Sequence, residues 1–276
     1  MRQTSGSVVC PECGRLVEVS DERCPFCGRW QPAMFGYSRT LQNMFGSLDV
    51  STAIMWTCVI LYLISLILDP RAILARGSGF MDLLSPSGES LVQLGMTSRQ
   101  LVQRFDLWWT PLSATYLHGS LIHIFFNMMW LRMLGPGLES MLGPGRFFLL
   151  YTAAGIGGFL VSNAFSIHPS VGASGAIFGL LAATVVAGRA HGGEWGQLAS
   201  RQALMYAGLI FVIGFFSPRT NNLAHAGGFV VGGVLTWALL RFSHRAEGPV
   251  IQLLAALAGL ATVASVVATF IMVRFG

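Results

Sequence analysis

Val171-Gly172-Ala173-Ser174-Gly175-Ala176-Ile177-Phe178-Gly179 sets a small hydroxyl among glycines inside a segment apolar enough to cross a bilayer. Read that way, Ser174 is a buried nucleophile. A serine in an apolar helix serves packing as readily as chemistry, and a Gly-x-Ser-Gly match is a weak signal in a chain with 33 glycines. The reading therefore depends on whether other segments supply a base, an oxyanion site and a route for water.

Those segments are membrane spans. Of 276 residues, 53% are hydrophobic and 11% charged, where a soluble domain carries about 25% charged residues; the mean hydropathy is +0.62. Five of the twelve acids precede residue 50, four lie within 69–109, and Glu139, Glu194 and Glu247 fall in later connections, so the apolar runs hold no carboxylate. All seventeen cations are arginine. The net charge of +5 calls for no nucleic-acid partner, because arginine gathers on the cytoplasmic loops of membrane proteins.

About 20 apolar residues cross a bilayer, and candidate spans lie near 51–68, 112–134, 146–165, 171–188, 203–217, 222–241 and 250–273. With the amino terminus inside, the short inner connections hold Arg132, Arg146, Arg189, Arg201, Arg241 and Arg245, and the short outer connections and tail hold Arg219 and Arg274. The expectation is a multi-pass protein of the plasma (inner) membrane, amino terminus cytoplasmic and carboxy terminus outside. The outer 69–109 connection is unusually apolar (Leu91, Val92, Leu94, Leu101, Val102, Phe105, Leu107, Trp108, Trp109) and is expected half-embedded, with the paired Trp in an interfacial belt.

Ahead of the spans, Cys10-Pro11-Glu12-Cys13-Gly14 and Cys24-Pro25-Phe26-Cys27-Gly28 form two C-x2-C knuckles ten residues apart. Four thiolates so spaced suit a tetrahedral Zn²⁺ site. A disulfide pair or a redox site would use the same residues, but a cytosolic position keeps thiols reduced and favours metal. Some 30 residues make too small a core to fold unaided, so a structural zinc would supply the stability. The charges Arg2, Arg15, Arg23 and Arg29 balance Glu12, Glu18, Asp21 and Glu22, which argues against a nucleic-acid footprint. No signal peptide is expected before the knuckles. The expected organisation is a zinc ribbon over 1–30, a linker over 31–50, a six-span core over 51–249 and an extra transmembrane helix over 250–276. In the linker, Met34, Phe35, Tyr37, Leu41, Met44, Phe45 and Leu48 would lie in the membrane surface. Cys58 reads as ordinary core.

Polar side chains at membrane depth are costly and so are functional candidates. His123 and Asn127 are four residues apart on one face of the second span, Ser174 lies in the fourth, and His225 enters the sixth with Gly228 and Gly232 on its own face. Serine becomes nucleophilic when a base takes its proton, and His225 can be that base. Without a carboxylate in the spans the site would be a Ser-His dyad, with Phe178, one turn after Ser174, packing on the imidazole. His123, Asn127 and the Ser174 amide can donate to an oxyanion, and Gly172 leaves room beside it. A helix-bridging hydrogen bond or a proton path is the other reading of His225; the conjunction of donors, nucleophile and base on three spans favours chemistry. His118 would line a watery cavity, while His168, His191 and His244 sit in connections. A transporter would call for intramembrane carboxylates or internal repeats, and neither is present in the sequence.

His118, His123 and Asn127, then Gly135 and Glu139, then Gly172-Ala173-Ser174-Gly175, then Ala224-His225-Ala226-Gly227-Gly228 with Gly232 occur in order across six spans. In these residues the chain from about residue 50 resembles the rhomboid intramembrane serine proteases. The resemblance implies a dyad of Ser174 and His225, an oxyanion site that includes His123 and Asn127, and a cavity open to the outside. It also implies a substrate that is itself a transmembrane helix, unwound near the cut and favouring small residues there. Two positions depart from the family pattern: Trp108-Trp109-Thr110 stands where Trp-Arg is common, and Phe178 where Tyr is common. The implied fold is an all-α polytopic membrane protein, a rhomboid-like helical bundle of six core helices plus a seventh carboxy-terminal span, with a small amino-terminal zinc ribbon. The implied function is intramembrane serine endopeptidase, without a catalytic cofactor, whose partners are transmembrane protein substrates and the lipid bilayer. The alternative is a catalytically inactive relative that binds transmembrane helices; a binder needs neither Ser174 nor His225.

Overall fold

The computed structural model describes residues 3–37, 49–70, 82–217, 220–242 and 247–275. Leu41, Met44, Phe45 and Leu48 of the expected linker, and Arg2, Arg219, His244 and Arg245, lie outside them. The chain divides into two compact units, Met1–Val50 and Ser51–Gly276.

In the first unit, strands β1 (Ser7–Val9) and β2 (Leu16–Glu18) pair antiparallel with Val8 opposite Val17. Alternation turns these two valines inward, onto Cys10, Cys24 and Ala33. Arg29 pairs with Glu12 at 2.6 Å.

The second unit is helical: α1 (Val50–Leu68), α2 (Gly88–Leu94), α3 (Arg99–Arg104), α4 (Thr110–Ala114), α5 (Leu121–Leu142), α6 (Pro144–Phe165), α7 (Ser174–His191), α8 (Gly193–Phe215), α9 (Asn222–Phe242) and α10 (Pro249–Phe275). Six of them, α1, α6, α7, α8, α9 and α10, are long and apolar enough to cross a membrane, which makes this a multi-pass integral membrane protein.

Helix α5 is not among those six, and the limits expected for the second span need correction. His123, Asn127, Arg132, Pro136 and Glu139 lower its apolar average, and its limits differ from 112–134. The expected span begins in the short α4, and the long helix starts only at Leu121, where Ser120 Oγ caps it by accepting the His123 amide at 3.3 Å. It then runs through Gly135-Pro136-Gly137, a sequence that reads as a helix stop. A tertiary contact holds it there: buried Glu139 accepts the Ser51 amide at 2.9 Å, at the start of α1. A Cβ on Gly135 would lie 2.5 Å from the Ser51 Cβ. Helix α8 likewise begins ten residues before the expected 203. Arg132, Arg146, Arg189, Arg201 and Arg241, expected in connections, therefore lie within α5, α6, α7, α8 and α9.

Helix α7 is the centre of the bundle, packed most extensively on α9 and also on α8, α6 and α5. Its face toward α9 is glycine against glycine. A Cβ on Gly232 would lie 2.5 Å from the Gly179 carbonyl oxygen, and one on Gly228 would overlap the Gly175 carbonyl. Small residues allow this approach, and packing of the two backbones then holds the helices together. Helix α10 is fixed at both ends: Glu247 accepts the amides of Gly145 (3.0 Å) and Arg146 (2.5 Å) at the start of α6, and Thr269 Oγ1 accepts the Trp109 indole N–H at 2.8 Å. A carboxylate at a helix N-terminus also complements the helix dipole. Part of the 69–109 connection is packed on protein, with Leu91 and Leu94 joining Leu117 against Leu61, Val266 and Phe270, whereas Trp108 is 71% exposed.

Replacing Gly228 with Ala should force α9 off α7 and cost about 1–3 kcal/mol, the usual range for overpacking. Thermal unfolding in detergent should show a lower midpoint than wild type. Gly208→Ala, where an added Cβ meets nothing within 4 Å, should not; equal midpoints for all three proteins would refute the contact.

Candidate active site and cysteine cluster

The turn before Ser174 is held from several sides. Thr97 and Ser170 exchange backbone hydrogen bonds at 3.2 and 2.8 Å, and the Gly172 amide donates to the Ala114 carbonyl at 2.9 Å. Asn221, at the head of α9, donates to Ser162 Oγ (2.6 Å) and Ser170 Oγ (2.7 Å) and accepts the Ala224 amide (3.0 Å). One amide side chain thus joins α6, the serine turn and the first turn of α9. Gly172 has φ +136°, a conformation that disfavours a side chain, and a Cβ there would lie 2.7–2.8 Å from Cε1 and Nε2 of His123. Ser174 itself is the half-buried first residue of α7. At a helix N-terminus the first amides have no intrahelical acceptor and favour negative charge.

His225 is 3% exposed. Its ring stacks on Phe178 with centroids 4.1 Å apart and planes 8° from parallel. On the ring edge, Nδ1 lies 3.2 Å from Asn222 Oδ1. The Asn222 amide is oriented by its other end, since Nδ2 donates to the Phe211 carbonyl at 3.0 Å. The oxygen facing His225 can only accept, so Nδ1 carries the proton and Nε2 presents a lone pair. Neither Asn221 nor Asn222 stands out in the sequence, where position i−3 from His225 is the available signal.

His123 has the opposite tautomer. Its Nδ1 accepts the Gly119 amide at 3.4 Å, which places the proton on Nε2, the atom facing Gly172. His118 meets it edge to face at 5.2 Å; His118 is fully buried, and neither ring nitrogen has a partner among the described residues. Asn127 differs from the simple expectation of a free donor. Its Nδ2 donates to the His123 carbonyl at 2.8 Å, leaving one N–H available. The structure therefore brings His123 against Gly172, two residues before Ser174, and Phe178 onto His225, with Asn127 one turn along α5. His191 Nδ1 lies 2.9 Å from the Ala187 carbonyl at the far end of α7.

In the first unit the sulfurs of Cys10, Cys13, Cys24 and Cys27 all lie within 4.8 Å of one another, with Cys10–Cys27 at 3.8 Å and Cys13–Cys24 at 3.7 Å. A tetrahedron of Zn–S bonds of about 2.3 Å has edges of about 3.8 Å, so the cluster fits such an ion. The two knuckles repeat each other: the amide of the first cysteine donates to Arg15 or Arg29 at 2.8 Å, and Gly14 or Gly28 donates back to that cysteine at 2.9 Å. Burial pushes the Cys27 thiol up to about 12 and raises Cys10 too. At Cys24 burial also raises the value, but the amides of Cys27 and Phe26 outweigh it and bring the thiol to about 7. A cation entering the cluster would displace protons from Cys10 and Cys27.

Residues 106–242 match the Rhomboid domain. The chain is 35% identical over 156 residues to Rhomboid protease GluP of Bacillus subtilis, a stretch covering 56% of this chain and 30% of that protein. Against RHOMBOID-like protein 5 of Arabidopsis thaliana it is 39% identical over 165 residues, 57% of this chain and 52% of the relative. The chain thus spans well under two thirds of the length of these two. With YdcA of Bacillus subtilis, named for a rhomboid protease, it shares 30% identity over 142 residues, half of this chain and 70% of the relative. The domain match ends with α9, so the cysteine cluster, α1 and α10 lie outside it.

A Gly172→Ala chain carries a methyl against the His123 ring and a strained backbone. Its Ser174 should react with a fluorophosphonate at least about 10-fold more slowly than wild type, as expected when an oxyanion donor is displaced. An unchanged rate would separate this pocket from the reactivity of Ser174.

Proposed function

The chain belongs to the rhomboid family, and on that premise we propose that it is an intramembrane serine endopeptidase that cleaves transmembrane helices. The observation that carries this reading is the stack of His225 on Phe178. Phe178 follows Ser174 by one turn on the same face of α7, so an imidazole held on Phe178 lies over the side of the helix that bears the serine.

In the proposed reaction, Ser174 Oγ attacks the scissile carbonyl while His225 Nε2 takes its proton. The oxyanion that forms is met by the Nε2–H of His123, the remaining N–H of Asn127 and the Ser174 amide. Collapse breaks the C–N bond, the imidazolium gives its proton to the leaving amine, and an ester on Ser174 remains. Water, deprotonated by His225, then attacks the ester; the C–Oγ bond breaks, the acid product leaves and the imidazolium returns the proton to Ser174 Oγ. Phe178 and Asn222 confine the imidazole, so no carboxylate has to be carried to membrane depth. A helical substrate must unwind at the cut to free its carbonyl.

Topology supports cleavage near the outer surface. Arg189 and Arg241 occupy the last turns of α7 and α9, which supports placing those ends on the cytoplasmic side of a plasma (inner) membrane. Ser174 and His225, at the opposite ends, then face outward, with the amino terminus cytoplasmic and the carboxy terminus outside. The cysteine cluster is proposed to be a structural zinc ribbon without a part in catalysis.

Purified protein reconstituted in liposomes with a transmembrane-helix substrate tests the activity. Wild type should cleave, and Ser174→Ala and His225→Ala should each lose at least about 1000-fold. Equal cleavage by Ser174→Ala would overturn the proposal, and a wild type that binds helices without cutting them would mark an inactive relative. For the ribbon, a Cys10→Ser/Cys13→Ser double variant should lose bound zinc by metal analysis; unchanged zinc content would refute the assignment.

A further inference from the structure

We propose that Asn222 is a positioning residue that holds His225 in the tautomer and orientation the reaction requires, the place a carboxylate takes in a soluble triad. The inference rests on the Ser174–His225 reading and adds a third member to it.

Three features argue that Asn222 is built for this. Its Oδ1 lies 3.2 Å from His225 Nδ1, so the acceptor is already on the nitrogen that must stay protonated for Nε2 to act as base. Its Nδ2 is tied to the Phe211 carbonyl of α8 at 3.0 Å, which prevents the amide from turning round and presenting a donor to the imidazole. Gly214, one turn further along α8, supplies the space: a Cβ there would overlap Oδ1 and lie 2.9 Å from the Asn222 Cγ. Phe211 and Gly214 thus form a socket for this one side chain. With Phe178 stacked on its face at 4.1 Å and Asn222 on its edge, the imidazole is held both against tilting and against rotation in its own plane.

The chemistry explains an amide here. A carboxylate would orient the ring equally well but would carry a charge into a site that lies at the end of a membrane-spanning helix, where ions are costly. A neutral amide oxygen gives orientation and a weaker stabilisation of the imidazolium.

The competing explanation is that Asn222 only staples α9 to α8 through Phe211. Two substitutions separate the roles. Asn222→Ala removes both hydrogen bonds; Asn222→Asp keeps an oxygen for Nδ1 and loses the donor to Phe211. Cleavage kinetics and thermal midpoints are measured on the full-length protein in liposomes or detergent. Positioning predicts that Asn222→Ala lowers kcat about 10-fold or more, within the range for a misdirected general base, at unchanged KM. Asn222→Asp should recover most of kcat while its thermal midpoint falls as far as that of Asn222→Ala. Gly214→Ala, which crowds the amide without touching His225, should also lower kcat at unchanged KM. The proposal is overturned if Asn222→Ala cleaves like wild type, or if Asn222→Asp and Asn222→Ala are equally slow. Loss of folding in Asn222→Ala leaves the Gly214→Ala result to decide, with wild-type kcat counting against. If wild type itself does not cleave, the endopeptidase reading fails first and this one with it.

Discussion

The contact on which this molecule depends is backbone against backbone, where Gly175 and Gly179 of α7 meet Ala224, Gly228 and Gly232 of α9. In a bilayer the lipid is as apolar as any side chain, so helices gain little from burying leucine against leucine; close approach, dispersion and Cα–H···O contacts must hold them. Helix α6 joins the same seam, since a Cβ on Gly158 would lie 2.5 Å from the Ala224 carbonyl oxygen. At this separation Phe178 reaches His225 and stacks on its ring. A wider spacing would leave both side chains in apolar surroundings without each other.

A second constraint follows from the medium. Polar groups at depth are costly unless paired, and neutral amides and hydroxyls do much of the pairing here: Asn221 across three elements, Asn222 on the imidazole, Thr110 Oγ1 on Thr97 Oγ1 at 3.1 Å, and Asn163 Nδ2 on the same Thr97 oxygen at 2.9 Å, while His118 stands as an exception. The carboxylates that enter the bundle do so at helix ends. Glu139 and Glu247 each accept backbone amides from the first turn of a neighbouring helix, where a negative charge is stabilised by the helix dipole. This division separates the carboxylates from the proposed site, whose members are serine, histidine and asparagine.

The parts of this arrangement legible in the sequence were those whose chemistry is local. Ser174, His123 and His225 stood out because polar side chains in apolar runs demand an explanation. The cysteine spacing pointed to a four-sulfur cluster, and the four sulfurs do lie within 4.8 Å of one another. Helix limits were less legible, because hydropathy is an average over a window and tertiary contacts are not. Gly135-Pro136-Gly137 reads as a stop, yet the Glu139–Ser51 bond carries α5 through it. Glu194, Gln197 and Arg201 hide the first turns of α8, although Gly196 packs so closely on Gly188 that an added Cβ would lie 2.5 Å from its carbonyl oxygen. Asn127 was expected as a free donor, and only the structure shows one of its N–H groups committed to the His123 carbonyl. Asn222 was hidden for a similar reason: its meaning comes from Phe211 and Gly214, distant in sequence and adjacent in space.

The central claim is that the seam between α7 and α9 makes Ser174, and no other hydroxyl, a nucleophile served by His225. Peptide mapping by mass spectrometry after reaction of the purified protein with a fluorophosphonate tests it most directly. The account predicts a single adduct, on the peptide that contains Ser174, forming far more slowly in His225→Ala. A wild-type protein that forms no adduct, or carries it on another residue, would contradict it.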